Sequence, residues 1–384
     1  MRILHVVTGL NVGGAELQLC GLTERLKEQG YTQKIVSLLP DGPLSSGIRS
    51  RGIELVALGM RQSRPDFSKV STLRREIEQF RPTVIQSWMY HACIYSSLAA
   101  GFGGSQLPQL WSIHHSNLSF AANNASTLAA IAACRVLSRR KQVHIAYCAE
   151  ASRRSHESIG YDKRRGMFVP NGYDTDRFVR RPGARERIRA QFGLDADVTA
   201  VGLVARFDPI KDHATFLAAA ALAKRNSSKE LRFVLIGEGM DSSNTGLASL
   251  IEQNKLATSV VLAGRRDDME SVYSALDILT LSSRGEAFPN VLCEAMLCGI
   301  PCVSTNVGDC AIILGETGFL APAGAPAALG EAIGQAAALD PAELQQRGTA
   351  ARERIVSRYS SESFLLRHVS IYNELAGVEN VVFP

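Results

Sequence analysis

The chain has 384 residues, which is enough for two domains of ordinary size that each bury a hydrophobic core. With 46% hydrophobic and 21% charged residues, its composition excludes a disordered or low-complexity chain. The formal net charge of +5 is unevenly distributed, because residues 1–180 carry 23 Lys and Arg against 13 Asp and Glu. Its eight cysteines include no Cys-x-x-Cys pair, which favours reduced, buried thiols of a cytoplasmic protein over zinc sites or disulfides.

Short apolar runs alternate with helical periodicity along both halves of the chain, a pattern typical of parallel sheets covered by helices on both faces. The strands predicted in the first half are 3–7, 33–38, 84–87, 109–112 and 144–148. Those predicted in the second half are 199–204, 232–236, 260–262, 278–281 and 301–304. The apolar N-terminal run is too short for a signal peptide, and no apolar run is long enough to cross a bilayer. We therefore expect an α/β protein with two doubly wound, Rossmann-like domains.

Turn residues and charges interrupt this periodicity near residues 171–189, which predicts a domain boundary there. The expected organisation is an N-terminal Rossmann-like domain at 1–180 and a C-terminal one at 181–358. In the remaining segment, 359–384, an amphipathic helix at 362–375 would pack back on the first domain. Ligands of doubly wound sheets bind at the carboxyl ends of the strands, so two facing domains would form a binding cleft.

Gly13 and Gly14 follow the first predicted strand and open a helix with Ala15 and Glu16. Glycines let the backbone approach a phosphate closely, and the amides at a helix start attract anions. An ordinary strand-to-helix turn would also contain such a pair, so both interpretations stay open on this motif alone.

A basic segment follows an apolar one in the first half of the chain. The small-residue apolar stretch 127–137 leads into Arg139, Arg140 and Lys141. Nucleic acid is not expected as a partner, because no helix-turn-helix, zinc-finger or base-stacking motif accompanies the charge. Contact with the anionic inner face of the cell membrane is one interpretation. The other is an amphipathic helix packed on a sheet with a solvated basic end.

Two cations, Arg206 and Lys211, lie on the loop that follows the predicted strand 199–204. They could share a diphosphate, with the arginine in forked geometry and the lysine as a point charge. Simple solvation is the alternative, but a cation pair at the carboxyl end of a domain's first strand is more specific than a surface pair.

Glu286 and Glu294 are two carboxylates with seven residues between them. Pro289 suits a first helical position and Gly-Ile-Pro after residue 298 suits a stop, which predicts a helix over 290–298. Glu286 would then lie on the preceding loop and Glu294 one turn inside the helix, with the free amides of residues 290–292 between them. A sugar nucleotide has the matching pattern, hydroxyls at each end and a diphosphate in the middle. A surface helix with two solvated glutamates is the alternative.

The order and spacing of five motifs along nearly the whole chain resemble glycosyltransferase family 4, retaining enzymes with the GT-B fold. The motifs are Gly13-Gly-Ala-Glu16, Val169-Pro-Asn-Gly-Tyr-Asp174, Arg206 with Lys211, Gly237-Glu-Gly239, and Glu286 with Glu294. Each motif is modest alone, and their joint specificity is high. The resemblance is to transferases of bacterial polysaccharide biosynthesis and implies a nucleotide sugar as substrate. No Asp-x-Asp motif lies in the predicted cleft, so neither a metal nor another cofactor is expected.

By that resemblance, Glu294 would bind the ribose hydroxyls and Glu286 would contact the donor sugar. Arg206 and Lys211 would hold the diphosphate and the charge of the leaving group. The remaining donor-binding residues that the resemblance implies are Gly13, Gly14, Gly237, Arg265, Phe288, Pro289, Asn290 and Val291.

The family also places a histidine of the first domain at the donor sugar. In Trp111-Ser-Ile-His-His-Ser116, His115 is the better match, and the doubled histidine leaves His114 as the alternative. A second motif of the first domain is Gln86-Ser-Trp-Met-Tyr-His-Ala92, which follows a predicted strand. It resembles an acceptor-side motif of bacterial polysaccharide enzymes, and the alternative interpretation is a buried aromatic cluster. The acceptor-side residues expected on this basis are Trp88, Tyr90, His91 and His114.

Together these patterns predict a cytoplasmic, metal-independent, retaining glycosyltransferase, peripheral on the inner face of the cell membrane. It would move a hexose-type sugar from a UDP- or GDP-linked donor to a growing, lipid-linked saccharide in cell-surface polysaccharide biosynthesis. Two alternatives belong to other classes. A GT-B sugar-nucleotide epimerase would interconvert free UDP-sugars without an acceptor, and a non-catalytic sugar-nucleotide-binding subunit would show no turnover.

Overall fold

In this computed structural model, the described residues are 1–61, 66–101, 107–119 and 123–378. The chain divides into two compact units, Met1–Gly172 with the segment from Ser361, and Tyr173–Ser360. Each unit is built around its own parallel sheet. The prediction of an α/β chain with two doubly wound, Rossmann-like domains is confirmed.

The first unit contains a seven-stranded sheet in the order β3-β2-β1-β4-β5-β6-β7, with every neighbouring pair parallel. Its strands are β1 (Arg2–Val7), β2 (Thr32–Ser37), β3 (Glu54–Ala57), β4 (Val84–Trp88), β5 (Gln109–Ile113), β6 (Val143–Tyr147) and β7 (Gly166–Phe168). The strand order reverses between β1 and β4, and such a reversal is where doubly wound sheets bind ligands.

The described residues of the first unit form seven α-helices. They are α1 (Gly14–Glu28), α2 (Ser45–Ser50), α3 (Ser68–Phe80), α4 (Met89–Gly101), α5 (Ala125–Leu137), α6 (Glu150–Ser158) and the chain-distal α15 (Ser361–Ala376). The buried residues Phe364, Val369 and Tyr372 of α15 share one hydrophobic core with Ile3 and Leu110 of the central strands. The last helix is therefore an integral layer of the first unit.

The second unit contains a six-stranded parallel sheet in the order β10-β9-β8-β11-β12-β13. Its strands are β8 (Thr199–Val204), β9 (Leu231–Ile236), β10 (Val260–Gly264), β11 (Ile278–Leu281), β12 (Cys302–Thr305) and β13 (Phe319–Ala321). Its helices are α7 (Ala184–Gln191), α8 (His213–Asn226), α9 (Thr245–Gln253), α10 (Met269–Ala275), α11 (Asn290–Leu297), α12 (Cys310–Leu314), α13 (Pro326–Ala338) and α14 (Pro341–Tyr359). Here the order reverses between β8 and β11.

All ten predicted strands overlap observed ones, and β8 and β11 coincide with their predictions. Three strands were not predicted, β3, β7 and β13, and each lies at an edge of its sheet. They span only three or four residues and are partly exposed, so they lack the continuous apolar run that marks a buried parallel strand.

Candidate functional site

The loops that follow β8 and β11 meet beside the strand-order reversal of the second unit. The first carries Arg206 and Lys211, and the second leads from Ser282 through Glu286 into α11. Because β8 and β11 are paired neighbours, their carboxyl ends bring the two loops together. Sequence-predicted residues that lie 75 positions apart are thereby in direct contact.

The contact is an ion pair between the Lys211 ammonium and the Glu286 carboxylate. Lys211 Nζ lies 2.6 Å from Glu286 Oε1, and the two side chains are 20% and 12% exposed. Ser283 donates its hydroxyl to the same carboxylate oxygen at 2.7 Å. A cation and a carboxylate that are both mostly shielded from water interact more strongly than a surface pair would.

Arg206 is more open to solvent, with 62% of its side chain exposed. Its Nε donates to Asp208 at 3.0 Å. The backbone amide of Ile210 and the Arg206 guanidinium both lower the pKa of Asp208, so this carboxylate holds its charge. Arg206 and Lys211 each have a carboxylate partner within the unit.

Glu294 lies one turn inside α11, on the side of the helix that faces Tyr273. The Tyr273 hydroxyl donates to Glu294 Oε2 at 2.8 Å. Burial raises the pKa of Glu294, although the hydrogen bond from Tyr273 opposes the shift. One carboxylate oxygen is thus held by the protein in a half-buried position.

The N-terminus of α11 has Pro289 as its cap residue, and no side chain of the described residues caps it. Asn290 accepts a hydrogen bond from the Tyr173 hydroxyl at 2.7 Å. The expectation of three free amides is wrong for Leu292, whose N–H donates to the Pro289 carbonyl at 3.2 Å. The first turn is tightened in the way that short helix starts often are. Phe288 is buried, its ring edge-on to Tyr359 at 5.2 Å, so only its backbone is available to a ligand.

Two glycines set how closely the loops of this edge can pack. Gly237 has φ +142°, and a Cβ there would lie 2.0 Å from the Ala205 carbonyl oxygen. Gly308, which no motif in the sequence marked, has φ +54°, and a Cβ there would lie 2.3 Å from the Glu286 carbonyl oxygen. Only glycine fits such positions, so the loop after β12 packs directly against the backbone of Glu286. Arg265, after β10, is 69% exposed and lies 3.7 Å from Asp267.

In the first unit, Gly13 is the extended N-cap of α1 and Gly14 its first residue, as predicted. A Cβ at Gly13 would lie 2.4 Å from the Glu16 carboxylate, which folds back on the helix start. Burial raises the pKa of Glu16. Among the described residues, no side chain caps α1, and the amides of its first turn lie next to this carboxylate.

The histidine pair follows β5. His115 is half-buried, its Nε2 lies 3.0 Å from Asn123 Oδ1, and its carbonyl accepts from the Ser152 hydroxyl at 2.6 Å. His114 stacks on Trp88 with ring centroids 5.5 Å apart, and burial lowers the pKa of His114 to about 3.

Two of the expected acceptor-side residues are core residues. Trp88 is 1% exposed and Tyr90 is 2% exposed, and the Tyr90 hydroxyl lies 2.8 Å from His156 Nε2. Their expected acceptor role is not supported by this placement, because the aromatic side chains fill the space between sheet and helices. His91 is partly accessible, 3.2 Å from the Ser126 hydroxyl, and burial lowers its pKa.

The basic segment follows α5. Ala130, Ile131 and Cys134 bury one face of this helix against the sheet, whereas Val136 near its end is 63% exposed. Arg139 and Lys141 are exposed, but Arg140 donates to the Ser97 carbonyl at 3.0 Å. The packed face of α5 agrees with the interpretation as an amphipathic helix on a sheet. The exposed basic end is a surface of the kind that the membrane interpretation needs.

Over the ranges that the structure describes, no helix is long and apolar enough to span a bilayer. The same residues contain no group of three or more His, Cys, Asp or Glu side chains placed to hold a metal ion.

A cavity of about 730 Å³ lies in the second unit at the amino ends of the strands, away from the site above. Arg180 on its wall donates to the Cys298 carbonyl at the end of α11, at 3.0 Å. Arg185 pairs with Asp277 at 2.7 Å. Arg180 therefore stabilises the end of α11 and Arg185 forms an ion pair, which explains both arginines without a ligand.

Two family models match the chain. Residues 12–177 match Glycosyltransferase Family 4, and residues 198–338 match Glycosyl transferases group 1. The chain belongs to glycosyltransferase family 4. This family 4 chain carries the two matches on different units, the first on the seven-stranded and the second on the six-stranded sheet.

Among its curated relatives is a D-inositol 3-phosphate glycosyltransferase of Rhodococcus opacus, 35% identical over 187 residues. That match covers 46% of this chain and 41% of the relative, so the chain spans about two fifths of its length. The protein EpsF of Bacillus subtilis is 25% identical over 308 residues, 79% of both chains. The crystal structure of Anabaena HepE with UDP superposes with a TM-score of 0.84 at 20% identity, over 97% of this chain and 100% of the other. That likeness shows that the family 4 chain has the GT-B fold.

Proposed function

We propose that this protein is a retaining glycosyltransferase that works without a metal ion. It transfers a hexose-type sugar from a UDP- or GDP-linked donor to a growing, lipid-linked saccharide in cell-surface polysaccharide biosynthesis. The observation that carries the proposal is the Lys211–Glu286 ion pair at 2.6 Å, placed where the strand order of the second sheet reverses. A doubly wound sheet binds its ligand at this place.

The chemistry follows from the charges at that place. Cleavage of the bond between sugar and diphosphate puts negative charge on the departing phosphate. Lys211 is a preorganised cation held by the loop that leads into α11, whose amides add their partial positive charge, and Arg206 adds a second cation from the loop after β8. Because Lys211 is mostly shielded from water, its stabilisation of this charge is only weakly screened. In this assignment a bound diphosphate replaces Glu286 and Asp208 as the partner of the two cations.

The two glutamates have different tasks in the proposal. Glu286, released from Lys211, accepts from a hydroxyl of the donor sugar. Glu294 accepts from the ribose hydroxyls with the carboxylate oxygen that Tyr273 does not hold. Arg265 and the backbone of Gly237 and of residues 288–291 line the same edge and complete the donor side. Because the similar HepE structure is a complex with UDP, UDP is the first nucleotide to test.

Roles in the first unit are proposed on local geometry alone. His115 contacts the donor sugar. Its ring is oriented by the contact with Asn123, and its backbone is held by the Ser152 hydroxyl. Gly14 offers its amide to phosphate, provided that Glu16 gives up its place at the helix start. Gly13, whose N–H donates to the Asn11 carbonyl at 3.1 Å, lets the backbone approach the phosphate closely. On the acceptor side we retain His91 and His114.

The lipid-linked acceptor calls for a membrane-facing surface, and the first unit has a basic, apolar one. Val136 of α5 is 63% exposed and Ile159, after α6, is 37% exposed. Arg135 joins the two segments by donating to the Ile159 carbonyl at 3.4 Å. Exposed Arg139 and Lys141 lie directly after α5. Each such cation near an anionic bilayer adds about 1 kcal/mol of attraction.

The test is an assay of acceptor-dependent release of UDP or GDP from a panel of nucleotide sugars, with extracts of lipid-linked saccharides as acceptors. We expect release with one donor class only, product with the donor's anomeric configuration by NMR, and unchanged rates in EDTA. Interconversion of the donor without an acceptor would instead identify an epimerase. Nucleotide binding without any turnover would identify the non-catalytic subunit.

A further inference from the structure

Asp212, the residue after Lys211, has a left-handed backbone conformation with φ 49° and ψ 57°. Residues other than glycine adopt this conformation at a cost in strain, so the surrounding structure must stabilise it. Three contacts do so. Asp212, 5% exposed, accepts from the Thr215 amide at 3.2 Å and the Thr215 hydroxyl at 2.7 Å, and it pairs with Arg284 Nε at 2.7 Å.

Arg284 comes from the other loop of the site, two residues before Glu286. Its backbone amide donates to the Ile210 carbonyl at 2.7 Å, and Ser282, two residues earlier, donates its hydroxyl to the Lys211 carbonyl at 2.7 Å. Three bonds from the loop after β11 thus hold residues 210–212 in succession. The Lys211 backbone is fixed on both sides, while its side chain reaches Glu286.

A helix cap alone does not require this arrangement. Asp212 caps α8 through Thr215, but the capping bonds involve neither Arg284 nor the loop after β11. An ion pair between two loops, made by a residue in a strained conformation next to the proposed clamp lysine, does more than end a helix.

We propose that Asp212 and Arg284 form a positioning pair that sets Lys211 for the leaving-group charge. The inference rests on the proposed function, because it assigns no new contact with the donor. Without the pair, the lysine keeps its charge but loses its fixed location, and stabilisation by preorganised charge depends on that location.

The experiment is a mutant cycle on the purified full chain. Asp212→Gly permits the left-handed backbone and deletes all three side-chain contacts, and Arg284→Met removes the partner but keeps the length of the stem. Each is made in the wild type and in Lys211→Ala. Arg74→Met, which breaks an exposed arginine–glutamate pair on α3, is the matched control.

We expect Asp212→Gly and Arg284→Met each to lower kcat at least 10-fold in the wild type and less than 2-fold in Lys211→Ala. For each substitution the melting temperature should change by the same amount in both backgrounds, because Asp212→Gly loses the helix cap and Arg284→Met loses the ion pair whether or not Lys211 is present. If Lys211→Ala shows no turnover, the same cycle is read in the UDP or GDP dissociation constant by calorimetry.

Equal fold-losses in the two backgrounds would overturn the inference, since the pair would then act without Lys211. Wild-type kcat in both single variants would overturn it as well. A Lys211→Ala enzyme with normal turnover is a different result, because it refutes the proposed clamp itself. Arg74→Met must retain wild-type kcat in either case.

Discussion

Replacement of Lys211 by alanine removes the ammonium that lies 2.6 Å from Glu286. In the proposed complex the partner of this ammonium is the negative charge on the leaving phosphate. At a separation of about 4 Å and an effective dielectric constant of about 20, these two unit charges interact by about 4 kcal/mol. Loss of one preorganised donor to a developing anion reduces kcat by about 10² to 10³, or about 3–4 kcal/mol. The two figures agree, so we expect Lys211→Ala to lower kcat by two to three orders of magnitude.

The substitution should leave the fold intact. Glu286 keeps the hydrogen bond from Ser283, so one of its carboxylate oxygens still has a partner after the lysine is removed. We expect a fall of about 1–2 kcal/mol in unfolding free energy, which shifts the melting temperature by a few degrees in a unit of this size. Steady-state rates of UDP or GDP release and a thermal melt measure the two effects.

The matched control is Lys229→Ala, a half-buried lysine of the same unit that donates to the Leu339 carbonyl at 2.6 Å. It lies at the cavity away from Lys211 and should keep wild-type kcat. A folded Lys211→Ala enzyme with kcat within threefold of wild type would refute the electrostatic argument. So would an equal loss in Lys229→Ala, because the effect would then not be local to the clamp.

Three further predictions concern other parts of the chain. Glu294→Ala should weaken UDP or GDP binding at least 10-fold in calorimetry. Glu286→Ala should leave that affinity unchanged and lower turnover of the sugar donor. Equal losses of affinity in the two variants would mean that the two roles are wrongly assigned. Replacing Arg139 and Lys141 together by serine should reduce co-sedimentation of the protein with anionic vesicles at low salt. Slow hydrolysis of the donor should be unchanged. Vesicle binding that does not depend on salt concentration would argue against the membrane surface. The free energy of unfolding should fall as pH drops from about 6.5 toward 4, by up to about 1.4 kcal/mol per pH unit for each buried histidine. The reason is that the pKa of these histidines is lower in the folded than in the unfolded chain, so the unfolded chain binds more protons in this range. Flat stability over that range in urea titrations would contradict this. The histidines concerned are His5, His114, His156, His213 and His368, whose pKa values burial lowers to about 3, 3, 4, 4 and 4.

The central strands and the helix that carries Glu294 could be predicted from the sequence because their signals are local. β8 and β11 are continuous apolar runs between turn residues, and α11 lies between a proline and a Gly-Ile-Pro stop. The edge strands β3, β7 and β13 could not, since their formation depends on a neighbouring strand more than on their own residues.

The side chains and backbone groups that contact the site residues could not be predicted from the sequence either. Tyr273 precedes Glu294 by 21 positions and Gly308 follows Glu286 by 22, and no local pattern links either pair. Only strand order brings them together. Trp88 shows the converse, because an aromatic residue at the end of a strand has the same appearance in sequence whether it is buried or faces a ligand.

The place of α15 has a consequence for how the protein is made. The first unit takes its sheet from residues 1–168 but takes Phe364, Val369 and Tyr372 from a segment that is translated almost two hundred residues later. During synthesis, the apolar face around Ile3 and Leu110 therefore stays exposed to solvent until the second unit has been translated. A nascent chain with exposed hydrophobic surface recruits chaperones, and its aggregation competes with folding. Expression yield should therefore depend more on the integrity of this late helix than on comparable changes in the second unit.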